Sequence, residues 1–110
     1  MRIAMPTVGG KLSMHFGHSE QFVLFDIEDQ TVQKREALTP PAHEPGLLPR
    51  WLKEKGVTIV IAGGMGGRAQ TLFEQAGIHV ICGAFSEEPE EVVDSYLKGT
   101  LETGDNACDH

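Results

Sequence analysis

The run of residues 57–62 (Val-Thr-Ile-Val-Ile-Ala) constrains the fold more than any other stretch of this chain. Its side chains do not alternate between apolar and polar, so a strand built from them needs cover on both faces. This pattern is typical of a central parallel strand with helices packed on either side of the sheet. The glycine-rich segment 63–67 follows directly and leads into residues whose apolar side chains have helical spacing.

The other segments complete an α/β pattern with the element order β-β-β-α-β-α-β-α. We expect strands over residues 2–6, 21–27, 31–38, 57–62 and 78–82, and helices that end at Gly56, Gly77 and Gly99. Three strands in a meander followed by right-handed crossovers predict a mixed five-stranded sheet, the ribonuclease H-like three-layer fold. The charges of strand 31–38 are typical of an edge strand, and Ser86 is the expected cap of the last helix.

The composition predicts one small globular domain, which we expect over residues 1–103 with a flexible tail over 104–110. Sixteen acidic and nine basic residues give a formal charge of −7, which disfavours a nucleic-acid partner. No segment approaches the roughly 18 apolar residues of a membrane span, and the first residues predict a strand rather than a signal peptide. Two cysteines are too few for a disulfide framework, so we expect a cytoplasmic protein.

The segment His15-Phe16-Gly17-His18 is the first candidate for chemistry. Two imidazoles three residues apart can converge on one point only if the backbone turns, and a glycine permits such a turn. Neutral imidazole is the commonest side-chain ligand of metals in proteins. The segment therefore predicts a metal or cofactor contact through His15 and His18, although surface histidines are also common without such a role.

The glycine-rich segment is the second candidate. Gly64, Gly66 and Ala69 match a G-x-G-x-x-G/A spacing between a strand and a helix, which fits a phosphate cradle at a helix N-terminus. It fits equally a tight turn that lets the helix pack closely on its strand. No acidic residue ends the following strand to hold a ribose, so we expect no nucleotide. Arg68 makes contact with a less specific anion the better prediction.

Two further segments carry metal-binding residue types. His43 stands in a proline-rich loop before the first helix, where a solvated histidine is the alternative. The tail residues Cys108 and His110 can chelate a soft or borderline metal, with Asp109 as an oxygen donor. A terminus that binds nothing is the alternative there. Strand 2–6 has no carboxylate of the kind a ribonuclease H-type nuclease needs for Mg²⁺, so we expect no catalytic residues and no enzyme.

Strand 3–6 (Ile-Ala-Met-Pro), the segment His15-Phe16-Gly17 and the stretch 62–69 (Ala-Gly-Gly-Met-Gly-Gly-Arg-Ala) together resemble the dinitrogenase iron-molybdenum cofactor family. That family includes the carrier NifX and the C-terminal domain of NifB. The resemblance covers about residues 1–100 and is specific in the HFG and AGGMGGRA segments. His43 is similar to a histidine often found before the first helix in this family, whereas His18, Cys108 and His110 are not part of its pattern.

The resemblance implies a ribonuclease H-like fold without nuclease activity and a role in binding, carrying or inserting an iron-sulfur or iron-molybdenum cluster. It implies cofactor contacts from His15, His43 and the loop glycines. The expected partners are proteins that donate and accept metalloclusters, as in nitrogen fixation, and the expected state is a monomer or weak homo-oligomer. The alternative is a small anion- or nucleotide-sensing regulatory module that uses residues 63–68 and ignores metals.

Overall fold

The protein forms a mixed sheet with helices on both faces in a computed structural model, which describes residues 1–13, 16, 19–41, 46–85 and 88–103. The strands are β1 (Arg2–Val8), β2 (Lys11–Leu12), β3 (Gln21–Glu28), β4 (Thr31–Leu38), β5 (Ile59–Ile61) and β6 (His79–Ile81). The helices are α1 (Leu47–Glu54), α2 (Gly67–Gln75) and α3 (Pro89–Lys98). The predicted element order and fold class are confirmed, with β2 as an addition.

The sheet follows the strand order β4-β3-β1-β5-β6, and β2 pairs with β1 beside this path. The first strand lies in the middle, antiparallel to β3 and parallel to β5, which is in turn parallel to β6. Because β1, β5 and β6 run the same way, their carboxyl ends lie at one edge of the sheet. We call this edge the loop edge.

The sequence pattern missed β2, because a two-residue strand has no periodicity to detect. The first strand, expected over residues 2–6, runs to Val8 and ends directly before Gly9 and Gly10. Both glycines have positive φ, 61° and 83°, and they form a two-residue hairpin turn of the kind that demands such angles. The hairpin folds the chain back so that the Ser13 N–H donates to the Pro6 carbonyl at 2.8 Å.

Two separate cores cover the two faces of the sheet. Along β1, Ile3 and Met5 face one core and Ala4 faces the other, as strand alternation requires. The core beneath α1 and α2 contains Leu48, Leu52 and Phe73. The core beneath α3 contains Val92 and Val93. All five central residues of β1 are buried, which agrees with a strand covered on both sides.

The edge strand β4 is exposed along most of its length and pairs with β3 alone among the described strands. Its residues 33–36 are all polar or charged, which hinders pairing with another chain. Arg35 forms an ion pair with Glu90 of α3 across the sheet face. The prediction of a polar edge strand is confirmed.

Prolines lie near the starts of two helices. Pro49 is the third residue of α1, in the first turn, where a missing N–H costs little. The predicted cap Ser86 is wrong, since α3 begins at Pro89 with Glu88 as its N-cap. Proline at the first helical position has no N–H to satisfy and a φ already suited to the helix. Ser86 itself lies outside the described residues.

Beyond α3 the described chain continues to Thr103, which forms an isolated antiparallel bridge with Ala84. Residues 104–110, predicted as a flexible tail, lie outside the described residues. The longest described helix, α3, has ten residues. A bilayer needs about 20 residues of helix, so none of the described helices is long enough to cross one.

An ion pair at the opposite end of the sheet gives the fold a predictable acid response. Arg2 Nε donates to Asp26 Oδ1 at 2.6 Å, and Arg2 Nη1 donates to the Lys55 carbonyl at 2.7 Å. The hydrogen bond from Arg2 is the main reason that the pKa of Asp26 lies below its ordinary value. A lowered carboxyl pKa adds stability above the ordinary value, near 3.9, and that stability is lost as the pH falls through the folded value.

We therefore expect Asp26→Asn to lower the free energy of unfolding at pH 7 by at most about 1 kcal/mol, because the pair is partly exposed. The difference from wild type should shrink below about pH 4, where the wild-type carboxyl becomes protonated. Urea unfolding between pH 7 and pH 2 measures it. Arg2→Gln removes the other partner of the ion pair and should give a similar pH dependence. A difference in unfolding free energy from wild type that does not change with pH would contradict a lowered pKa of Asp26.

Candidate functional site

The loop edge gathers three segments that follow parallel strands, namely 9–13 after β1, 63–66 after β5 and 82–85 after β6. Strand β3 begins at this edge and β4 ends there, since Gln21 pairs with Thr7 and Leu38 pairs with Phe22. In open α/β sheets, ligands bind outside the carboxyl ends of the strands. The loop edge is therefore the candidate site.

Backbone hydrogen bonds join these segments around Gly63 and Gly64. The Gly63 N–H donates to the Ser13 carbonyl at 3.2 Å, and the Phe16 N–H donates to the Gly64 carbonyl at 3.0 Å. On the other side, the Gly83 N–H donates to the Gly63 carbonyl at 2.8 Å. The glycine segment is thus bonded to the chain after β2 and to the chain after β6.

Phe16 anchors the first candidate segment to the core. Its side chain is 8% exposed and makes edge-to-face contacts with Phe22 at 5.8 Å and Phe73 at 5.4 Å between ring centroids. The sequence pattern assigned no role to Phe16, since the histidines beside it are the residues that bind metals. The available signal was a large apolar residue isolated among polar and small ones, which is typical of an anchor.

The glycine segment leaves space over the start of α2. Gly66, the N-cap, has φ −66° and ψ 153°, which any residue can adopt, and Gly67 has no positive φ. A Cβ on Gly67 would meet no atom within 4 Å. Neither backbone conformation requires glycine, and a side chain at Gly67 would have room.

Met65 holds the glycine segment in place from below. Its side chain is buried in the core beneath α1 and α2, as a packing residue. Its carbonyl accepts a hydrogen bond from Gln70 Nε2 at 3.0 Å. Gly66, Gly67 and Arg68 directly follow Met65 and are exposed to solvent. Because Met65 is fixed in the core, the backbone of these three residues is held at the surface.

The loop edge carries less negative charge than a chain of formal charge −7 would suggest. Segments 1–19, 55–73 and 75–86 contain no Asp or Glu. Glu20 does lie at this edge, where its carboxylate accepts a hydrogen bond from the Gly9 N–H at 2.9 Å. The first turns of α1 and α2 have no acidic residue, whereas that of α3 has Glu90 and Glu91.

This distribution leaves the positive end of the α2 dipole without a neighbouring carboxylate in its first turn. The first N–H groups of a helix have no acceptor within the helix, and Gly66 has no side chain to cap them. Arg68 is exposed beside them. The start of α2 is therefore suited to an anion.

The structure brings together only some of the predicted site residues. Gly64, Gly66 and Arg68 lie on the loop edge beside Phe16. The predicted ligands His15, His18, His43, Cys108 and His110 lie outside the described residues. Strand β4, which leads to the segment that contains His43, ends at the loop edge. Among the described residues, no three His, Cys, Asp or Glu side chains are grouped so that they could hold a metal ion.

Two cysteines were too few to predict a disulfide framework, but Cys82 takes part in a disulfide. It directly follows β6, is half-buried, and is disulfide-bonded. It therefore offers no thiolate to a metal in this state. The chain's other cysteine, Cys108, is outside the described residues, and its thiol chemistry has to be tested on protein kept under reductant.

Comparison with known proteins identifies the family. The sequence model of the family described as "Dinitrogenase iron-molybdenum cofactor" matches residues 1–99, which is nearly all of the chain. The chain belongs to the dinitrogenase iron-molybdenum cofactor family. The resemblance to this family is thereby confirmed, and membership links the chain to the biosynthesis or binding of the iron-molybdenum cofactor.

The chain is also similar to individual proteins in sequence and in fold. The chain is 32% identical over 107 residues to the uncharacterized protein MJ0580 of Methanocaldococcus jannaschii, covering 93% of this chain and 90% of that protein. The crystal structure of PH0822 superimposes with a TM-score of 0.90 at 34% identity and 96% coverage of both chains. A Thermotoga protein described as a candidate NifB superimposes with a TM-score of 0.72 at 26% identity, covering 93% of this chain and 91% of that one.

The open space at Gly67 gives a prediction about stability. Gly67→Ala should raise the free energy of unfolding by about 0.4–1 kcal/mol, because alanine fits the helical backbone and lowers the entropy of the unfolded chain. Urea unfolding at neutral pH measures this change. Gly77→Ala is the matched control, since Gly77 has φ 82° and alanine there should destabilise the fold. A destabilised Gly67→Ala would show that the segment needs its glycine for folding.

Proposed function

We propose that this protein is not an enzyme and that it binds an iron-sulfur or iron-molybdenum cluster at the loop edge, to carry it or insert it into another protein. The observation that supports this most is the hydrogen bond from the Phe16 N–H to the Gly64 carbonyl. It joins the segment that carries His15 and His18 to the glycine segment. In this proposal the two candidate segments form one site.

The donors at this edge suit such a cargo. Iron in clusters accepts imidazole nitrogen as well as thiolate, so His15, His18 and His43 would supply ligands. The cluster's sulfur and its net negative charge are stabilised by N–H donors and cations. The backbone at Gly64 and Gly66, the start of α2 and Arg68 would provide these. Gly67 leaves room for the cargo to approach the helix start.

A carrier must also release its cargo, which favours partners that donate and accept metalloclusters. Cys108 and His110, in the segment that follows the domain, would assist such a transfer as additional ligands when the thiol is reduced. We propose a monomer or weak homo-oligomer that acts in the cytoplasm, with nitrogen fixation as the pathway class that the family suggests. No nucleotide is part of this proposal.

The test is anaerobic reconstitution with ferrous iron and sulfide under reductant, followed by desalting. Wild type should retain iron and show visible charge-transfer absorption. His15→Ala and His18→Ala should each reduce the retained iron at least about fivefold, since each removes a ligand from the cluster. Iron analysis and absorption spectra of the desalted protein measure both effects.

His79→Ala is the matched control, because His79 is exposed on β6 at its amino end, away from the loop edge. It should retain as much iron as wild type. Wild-type protein that keeps no iron and stays colourless would end the proposal. Equal amounts of retained iron in wild type and the two histidine variants would show that the cluster binds away from the HFG segment.

A second candidate function is an anion- or nucleotide-sensing module. The specific observation in its favour is the start of α2, which has exposed backbone, Arg68 and no acidic residue in its first turn. This site would need no metal. The same positive region serves both proposals, so an experiment has to separate them.

For the sensing function, phosphate, molybdate or a nucleotide should raise the melting temperature of metal-free protein, because a ligand that binds only the folded state stabilises it. A ligand at one hundred times its dissociation constant would contribute about 2.7 kcal/mol. Arg68→Ala should abolish the rise, and Arg50→Ala, an exposed change on α1, should not. Unchanged melting across the ligand panel would exclude this function.

A further inference from the structure

We propose that a groove beside Phe85 is a docking surface for a basic segment of a partner protein, which inserts one aliphatic side chain into the groove. The surface consists of residues that follow β6, residues of α3 and residues directly beyond α3. The inference names a class of partner for the proposed function, and it rests on that function only for what the partner does at the loop edge.

Phe85 differs from the other phenylalanines of this chain. It is 50% exposed. The other four are at most 8% exposed, namely Phe16, Phe22, Phe25 and Phe73. The preceding residue, Ala84, is fully buried, and its N–H donates to the Ala62 carbonyl at 3.2 Å. The exposed ring therefore follows a fixed stretch of backbone.

A groove of about 130 Å³ lies directly beside this ring. Its lining residues are Phe85, Val92, Ser95, Thr100, Leu101 and Glu102. A cavity of about 150 Å³ holds a benzene molecule, so a groove of this size accommodates one aliphatic side chain such as that of leucine. A single exposed apolar side chain needs no explanation, but one that adjoins a concave surface is typical of a contact site.

The walls of the groove are held in place by the core and by hydrogen bonds. Leu101 packs against the core beneath α3. The Thr100 N–H donates to the Ser95 carbonyl at 2.9 Å, which joins the chain beyond α3 to the helix. Thr103 forms its bridge with Ala84 on the other side. The groove is therefore shaped before a partner arrives, which lowers the entropy lost on binding.

The surroundings of the groove are acidic. Residues 88–103 contain five carboxylates and one lysine. Lys98 pairs with Asp94, and Glu90 pairs with Arg35 of β4. The three other carboxylates are exposed and form no ion pair within the described part of the chain, namely Glu88, Glu91 and Glu102.

Two of these carboxylates lie at the groove itself. Glu102 is one of its lining residues. Glu91 adjoins Ser95, because residues four apart are neighbours on the surface of a helix. Lysine or arginine side chains on either side of an inserted aliphatic side chain would complement both carboxylates.

Charge also indicates why the partner is a different protein. Residues 50–55, at the end of α1, carry three basic groups and one acidic group, so a basic partner is attracted to α3 and repelled from α1. A twofold contact between two copies through the groove would bring their acidic residues together. Helix α1, which has the opposite charge, contributes none of the large apolar side chains that are exposed in the described part of the chain.

The groove lies close to the loop edge. The Gly83 N–H donates to the Gly63 carbonyl at 2.8 Å, and Phe85 is two residues beyond Gly83. Two residues of chain span at most about 7 Å. A partner in the groove is therefore held beside the glycine segment, where the proposed function has the cargo received or released.

The probe for this surface is the acetylated and amidated peptide Lys-Lys-Ala-Leu-Ala-Lys-Lys, titrated into the ¹⁵N-labelled, metal-free protein and followed by NMR. We expect a dissociation constant of about 1 mM or lower at low salt, with shifted amide signals confined to the groove residues and their neighbours. Glycine in place of the leucine should weaken binding about fivefold or more, because it removes the side chain that fills the groove. Raising the salt from about 20 mM to about 300 mM should weaken binding about threefold, because salt screens the charges.

Variants of the protein test the same contacts from the other side. Phe85→Ser should weaken binding of the peptide about fivefold. Glu91→Gln combined with Glu102→Gln should weaken it about threefold and reduce its salt dependence. Val32→Ser and Glu54→Gln are the matched controls, since Val32 is 39% exposed on β4 and Glu54 is exposed on α1. Both controls should bind within about twofold of wild type.

Absent or scattered signal shifts would overturn the docking surface, and so would equal binding of the leucine and glycine peptides. Shifts of the groove signals when the protein alone is diluted would assign the groove to a second copy and overturn the proposal as well. Wild type that binds the peptide but retains no iron after reconstitution overturns the proposed function and leaves the docking surface in place. Wild type that retains iron but does not bind the peptide overturns this inference alone.

Discussion

The hydrogen bonds at Gly63 and Gly64 are the constraint on which the candidate site depends. They join the carboxyl end of β5 to Ser13 and Phe16 on one side and to Gly83 on the other. Without them the HFG segment and the glycine segment would be two separate loops. With them, the end of β5 is bonded to Phe16, whose buried side chain resists separation of that residue from the glycine segment.

Charge is distributed unevenly around this constraint. Glu90 and Glu91 lie in the first turn of α3, whereas α2 begins with glycine and arginine. A metal ion alone would find few carboxylates at the loop edge, but an anionic cluster or an oxyanion would find N–H groups and Arg68. The same electrostatic feature therefore supports both candidate functions, and imidazole ligation is what distinguishes them.

Much of the fold followed from residue patterns. The apolar run at 57–62, the glycines that end the helices and the polar edge strand predicted the element order, because each reflects a local rule of strand or helix formation. The failures are equally physical. Strand β2 is too short for any periodicity, and the start of α3 was decided by Pro89 rather than by a serine cap. For the site, the residue types were predictable, but the role of Phe16 was not.

The sequence by itself determined the family, the layered α/β architecture and the residue types that could bind a cluster, since these depend on local pattern and chemistry. Only the tertiary structure decided that Phe16 and Gly64 are bonded, although 48 positions separate them in the chain. Contacts of that kind depend on how β1, β3 and β5 align in the sheet. No local rule contains that alignment, because it arises from packing the whole core at once.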